Sequence, residues 1–233
     1  GRFHRKIWEY CYILQALSER GLLAPGKRGL GFAVGQEPMA SIFAAAGVEV
    51  LATDLDTEEA KKDNWVKSDQ HADSIEKLNL RGLCDPDQLK RLVTFRPVDM
   101  RYLPDDLGTF DFVWSSCSFE HLGSIELGEK FVHESMKYLK PGGWAVHTTE
   151  YNVSSNTTTI NTGSVVLFRK RDIERIAERL RTDGHFIDLD LSDGTMPADQ
   201  MVDVPPYKEI VHMKLLLGEY VATSVGLIIQ KAP

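Results

Sequence analysis

A carboxylate and an imidazole stand side by side at Glu120-His121, just past the apolar run of residues 110–115. An imidazole with its ordinary pKa of about 6.5 accepts a proton at neutral pH. The neighbouring carboxylate can orient it, join it on a divalent cation, or face a bound cofactor. The pair therefore offers a base for an acceptor hydroxyl, a metal site, or packing at the start of a helix. Farther on, Thr148-Thr149-Glu150-Tyr151-Asn152 closes another apolar run. Glu150, Tyr151 and Asn152 are its candidates to read a hydroxylated acceptor. His147, inside that run, reads as a core histidine bonded to a neighbour.

A second constellation binds rather than reacts. Gly31-x-Ala33-x-Gly35 lies between a short apolar strand, residues 29–34, and a helix, residues 38–46. Glycine lets the backbone approach a ligand with no Cβ in the way, and Ala33 is the largest residue that permits a similar approach. The next strand, residues 48–53, ends in Asp54, an acceptor for two ribose hydroxyls at about the 20-residue spacing such sites use. After the following strand, Asp99 can accept from an adenine amine and the Met100 N–H can reach a ring nitrogen. A doubly wound sheet grips an adenosine-containing cofactor with these parts in this order, at the carboxyl ends of its strands.

The elements that must position these groups keep the same alternation. Ile7, Trp8, Cys11, Leu14 and Leu17 recur at helical spacing over residues 5–20, and Gly21 follows as a stop. Residues 57–80, which include Trp65 and Gln70-His71, read as a helix and then a semi-ordered, lid-like segment. Asp85 caps a helix that opens on Pro86 and leads into a strand at 93–96. Ser124 begins the next helix, and Lys140-Pro141-Gly142-Gly143 is a tight turn into a strand at 144–149. Asp172 caps a helix at 173–181, and strands at 186–191 and 221–230 flank a Pro-rich excursion, 195–217. His71 and His212 read as exposed loop residues. The run Arg169-Lys170-Arg171 solvates a helix start or, being poorly placed for the dipole, meets a phosphate or sugar acid.

Composition narrows the class. With 233 residues and 42% hydrophobic content the chain builds one core, hence one domain: an N-terminal helix (1–22), a cofactor-binding half (29–150) and an acceptor-side half (151–233). A net charge of −7 disfavours duplex nucleic acid as a partner. Three cysteines with no Cys-x-x-Cys pair suggest neither a disulfide framework nor a thiolate zinc site, and fit a reducing cytoplasm. No run of about eighteen apolar residues occurs, so no membrane segment is expected. A start without Met leaves room for a larger polypeptide.

Over nearly its whole length the chain resembles the class I S-adenosylmethionine-dependent methyltransferases. Gly31 to Glu37 matches their cofactor turn, Asp54 their ribose carboxylate, and Val98-Asp99-Met100 their adenine loop. The stretch from Phe110 to Leu122 (FDFVWSSCSFEHL) is similar to their fourth strand and loop, and Leu139-Lys140-Pro141-Gly142-Gly143 to the turn before their fifth. The departure is Ala33, where the family has glycine. The resemblance implies a Rossmann-like α/β fold, a doubly wound seven-stranded sheet that is parallel except for its last strand, with helices on both faces. It also implies S-adenosylmethionine as cofactor, held by Gly31, Phe32, Ala33, Val34, Gly35, Glu37, Asp54, Leu55, Asp99, Met100 and Ser116.

The expected reaction is O-methylation of a small or terminal polar acceptor such as a carbohydrate, with His121 and Glu120 as the catalytic pair. A Glu-His pair in this loop also resembles that of small-RNA 2′-O-methyltransferases, where it belongs to a metal site, so a divalent metal stays open. The competing readings are an N-methyltransferase, a silent cofactor-binding module of a larger protein, and a nicotinamide-dependent oxidoreductase.

Overall fold

The computed structural model describes residues 3–62, 70–192, 194–208 and 211–233, and Trp65 lies outside them. In chain order the elements are β1 (Phe3–His4), α1 (Arg5–Glu19), β2 (Arg28–Phe32), α2 (Met39–Ala45), β3 (Glu49–Asp54), α3 (Thr57–Lys62), α4 (Pro86–Leu92), β4 (Val93–Pro97), β5 (Phe110–Ser116), α5 (Ile125–Ser135), β6 (Leu139–Asn152), α6 (Lys170–Thr182), β7 (Phe186–Asp188), α7 (Pro197–Gln200), β8 (Val202–Asp203), β9 (Val211–His212), β10 (Lys214–Leu217) and β11 (Tyr220–Gln230).

The main sheet runs β4-β3-β2-β5-β6-β11, parallel throughout except for β11, which pairs antiparallel with β6. The far edge of β11 is shared. Its last residues pair with β7 and its first with β10, which in turn carries β8, so the expected seven strands gain two from the Pro-rich excursion. Side chains alternate along each strand and feed two cores. Phe112 and Trp114 of β5 pack with Ile13, Leu17 and Phe43 from α1 and α2, while Val113 packs with Phe131 and Ile173 from α5 and α6.

Local chemistry explains most element ends. Asp85 accepts from the Asp87 and Gln88 N–H groups and Ser124 from the Leu127 N–H, as capping requires. Two expectations are corrected. Asp172 does not precede its helix but is its third residue: α6 begins at Lys170, and the Asp172 carboxylate reaches back to the Arg169 N–H at 2.9 Å and its Nε at 2.6 Å. Lys140 to Gly143 is no turn between elements. β6 runs straight through it, and its register against β5 jumps from Phe110↔Leu139 to Phe112↔Trp144, so the surplus residues bulge out with Gly142 at φ +73°.

His212 is likewise not an exposed loop residue. A parallel pair, β1 with β9, stacks His4 on His212 at 4.8 Å, and His212 Nδ1 meets Asp203 Oδ2 at 2.9 Å. The N-terminus is thereby fastened to the excursion. His4 also caps α1, its Nδ1 accepting from the Lys6 N–H at 3.1 Å.

His147 is fully buried, with Nδ1 2.8 Å from Ser115 Oγ and Nε2 3.4 Å from Ser135 Oγ. Burial lowers its pKa to about 3. Between that value and the unfolded chain's pKa of about 6.5, the unfolded state binds the extra proton, so this contribution is whole above pH 6.5 and drains away as pH falls. Buried carboxylates with raised pKa values act in the opposite sense over the same range, so a difference measurement is needed. The deficit of His147→Gln relative to the parent is expected to shrink by about 1.4 kcal/mol per pH unit below 6.5 in urea titrations. A pH-independent deficit contradicts the assignment.

Candidate active site

β2, β3 and β5 lie side by side, and their carboxyl ends open on a cavity of about 650 Å³. The turn after β2 is moulded by β3: Thr53 Oγ1 donates to Gly31 O at 2.8 Å, and the Val34 N–H to Thr53 O at 3.0 Å. Gly35 has φ +52°, and a Cβ there would stand 2.5 Å from Gln70 O, so only glycine fits beneath that segment. Ala33 takes φ +47°, a conformation that costs an L side chain about 1–2 kcal/mol. Ala33→Gly is therefore expected to stabilise the fold by about 0.5–1 kcal/mol once the extra entropy of an unfolded glycine is subtracted. The readout is a higher urea midpoint at unchanged slope.

Asp54 organises this end of the cavity. Its Oδ2 accepts from the Gly35 and Ala72 N–H groups, both at 3.1 Å, and its Oδ1 from the Leu55 N–H at 2.8 Å. Burial pushes its carboxyl up, while these three donors pull the other way. His71 is buried, not exposed: its Nε2 lies 2.8 Å from Leu55 O, and with Gln70 it lines the cavity. Asp99 is gripped by the Arg101 guanidinium, Nε to Oδ1 at 2.9 Å and a terminal nitrogen to Oδ2 at 2.7 Å. Met100 is buried beside it, and among the described residues its N–H finds no acceptor.

The opposite wall comes from the polar face of α1, which sequence reading did not single out. Arg5 donates to Glu150 Oε2 at 2.6 Å. Lys6 Nζ lies 3.0 Å from Ser116 O, 3.0 Å from Glu37 Oε1 and 3.2 Å from Glu9 Oε2. Glu9 Oε1 accepts from Ser224 Oγ at 2.6 Å and Cys117 Sγ at 3.0 Å. The available signal was spacing, since Arg5, Lys6 and Glu9 sit at i, i+1 and i+4 on one helix face.

Burial dominates the electrostatics here. It raises Glu37, Glu120 and Glu150 each to about 7, in spite of Lys6 beside Glu37 and Arg5 beside Glu150. For Glu9 burial also pushes upward, but Lys6 and the Ser224 and Cys117 donors outweigh it and hold the carboxyl low. Glu120 is fully buried; its Oε2 accepts from Thr149 Oγ1 at 3.1 Å, and its Oε1 has no donor among the described residues. His121 Nδ1 faces Ser164 O at 2.7 Å, so in the neutral ring that nitrogen carries the proton and Nε2 is the basic atom. Burial lowers the His121 pKa, which keeps the ring neutral.

The cavity thus gathers Ala33, Gly35, Glu37, Asp54, Leu55, Asp99, Met100, Ser116, Glu120, His121 and Glu150. Others fall elsewhere. Gly31 lies behind the turn under Trp114, Phe32 packs its ring on Phe131 and Tyr138, and Val34 is buried in the α2-side core. Tyr151 faces a smaller groove with Trp8 and Tyr12. Asn152 folds its own loop, accepting from the Ser154 and Ser155 N–H groups. The run at 169–171 is also occupied: Arg169 pairs with Asp172 and both arginines donate to Thr157 O. As for a cation, the ligand atoms of Cys117, Glu120 and Glu150 lie within 4.8 Å of one another, a group that leaves out His121.

Comparison with known proteins places this geometry. A family model described as a methyltransferase domain matches residues 30–147, half of the chain. A search of curated protein sequences gives no match. Among solved structures, magnesium protoporphyrin IX methyltransferase from Synechocystis with bound S-adenosylhomocysteine is 14% identical, covers 96% of this chain and 82% of its own, and has a TM-score of 0.56. An S-adenosylmethionine-dependent methyltransferase from Clostridium acetobutylicum is 13% identical over 96% of this chain and 91% of its own, TM-score 0.54. Phosphoethanolamine N-methyltransferase 2 from Haemonchus contortus, in complex with S-adenosyl-L-methionine, is 18% identical over 94% of this chain and 52% of its own, TM-score 0.56. At such identities the structures attest the fold, and the family model supplies the rest. The chain belongs to the methyltransferase-domain family, the class I S-adenosylmethionine-dependent methyltransferases.

Proposed function

We propose that the protein methylates a hydroxyl of a small or terminal polar acceptor such as a carbohydrate. The wall offers a fit for the cofactor on two counts beyond the glycine turn. The Met100 N–H, on a residue lining the cavity, has no acceptor among the described residues and suits an adenine ring nitrogen, and Glu37 Oε2 is a buried acceptor in want of a donor, as an α-ammonium supplies. On this reading Asp54 accepts from the ribose. When bound, the cofactor supplies an electrophilic methyl on a sulfonium.

The chain's own residues then have to hold the acceptor and take its proton. His121 carries the reading: its proton is fixed on Nδ1 by Ser164, burial keeps it neutral, and it shares the cavity with Asp54 and Met100. The acceptor hydroxyl proton passes to His121 Nε2, and the carboxylates of Glu120 and Glu150 take hydrogen bonds from neighbouring hydroxyls. One observation fits an amine equally well. Glu120 Oε1, buried and without a donor, suits an N–H or ammonium as well as an O–H.

The test is incubation with deuteromethyl-labelled cofactor and a panel of sugars, glycans and amines, read by mass spectrometry. A labelled methyl ether supports the proposal. Labelled amines alone contradict it.

A further inference from the structure

We propose that Cys117, Glu120 and Glu150 form a site for a borderline first-row divalent cation, such as zinc, at the acceptor end of the cavity. Cation binding stands on these side chains alone; only its use in holding an acceptor oxygen rests on the methyl-transfer reading.

Three independent features converge. The ligand atoms lie within 4.8 Å of one another, and a tetrahedral ion with metal–oxygen and metal–sulfur bonds of ordinary length holds its ligands roughly 3.5 Å apart, so small side-chain rotations close the site. Glu120 is fully buried, lines the cavity, and leaves Oε1 without a donor, a costly arrangement unless something supplies positive charge there. Cys117 holds φ +43°, unusual for a residue with a side chain, and is pinned there by its N–H donating to Thr148 O at 3.0 Å and Thr148 Oγ1 at 3.1 Å. The strain keeps its sulfur beside the two carboxylates.

The donor set selects the ion. Two carboxylates and a sulfur suit zinc or its neighbours, whereas magnesium and calcium take oxygen alone. Arg5 holds both oxygens of Glu150; it compensates the surplus negative charge of three anionic ligands, and Glu150 turns one oxygen from the guanidinium to the ion on binding. Binding displaces the thiol proton, which already points at Glu9 Oε1 at 3.0 Å, and releases it to solvent. Three protein ligands leave a fourth position for an acceptor oxygen or water.

Cobalt(II) is the probe. Added to the chelator-treated full chain, it is expected to give a sulfur-to-cobalt charge-transfer band in the near ultraviolet that saturates at one equivalent. Cys117→Ser abolishes the band and Glu120→Gln weakens binding at least tenfold, while the double variant Cys11→Ser, Cys84→Ser keeps it. Circular dichroism confirms that each variant is folded. No band in the parent chain, or a band that survives Cys117→Ser, overturns the site. S-adenosylhomocysteine binding is titrated in parallel, so a cobalt band without nucleoside binding supports the site while sinking the methyl-transfer reading.

Discussion

Replacing His121 by alanine is expected to lower kcat by about 10²–10⁴-fold, the range over which a positioned base contributes, with the affinity for S-adenosylhomocysteine changed less than about threefold. The split follows from where the ring sits. Its Nδ1 is committed to Ser164 O at 2.7 Å, which fixes both the tautomer and the plane of the imidazole. The ring is anchored on Ser164 rather than on the glycine turn or Asp54, so losing it removes proton transfer without loosening the nucleoside end. His121→Gln keeps a side chain able to donate to Ser164 but has no basic nitrogen, and should be as slow as alanine. A single-turnover assay on the labelled acceptor makes the measurement. A rate within tenfold of the parent chain contradicts a base at this position.

Asp54→Asn is expected to weaken binding of S-adenosylmethionine and its demethylated product by about 100-fold. The carboxylate accepts three backbone N–H groups from two sides of the cavity, so it both shapes the turn and keeps one lone pair, on Oδ1, for a ligand. An amide keeps one oxygen and turns an NH₂ toward groups that are themselves donors. One ribose hydroxyl bonded to the charged acceptor, at about 3 kcal/mol, accounts for that factor. The same conflict should destabilise the free protein by about 2 kcal/mol, or roughly 4–8 °C in Tm. Thermal melting with and without ligand reads both effects. An affinity loss under tenfold would place the ribose elsewhere.

The cofactor half was legible because its signals are local. A glycine that must sit at φ +52°, a carboxylate at the next strand end and capping residues such as Asp85 and Ser124 announce themselves within a few positions. The acceptor half depends on pairings across the chain. Glu9 meets Cys117 and Ser224 over more than a hundred residues each, and helical periodicity reveals only the apolar stripe of α1, not what its polar face meets. Cys117 and Glu150 come together because β5 and β6 pair with Ser116 opposite Thr148. Along β6 the side chains alternate, which sends Glu150 into the cavity and Tyr151 to the other side; Asn152 would rejoin the first face but ends the strand and folds its own loop. The Lys140 to Gly143 segment has turn composition in a strand context, and the bulge satisfies both.

The account turns on whether the cavity at the ends of β2 and β3 takes the sulfonium nucleoside. Isothermal titration of the purified chain with S-adenosylhomocysteine decides it directly. One site per chain, with the dissociation constant raised about 100-fold by Asp54→Asn, is the predicted result; no heat at all, or binding indifferent to that substitution, would contradict it.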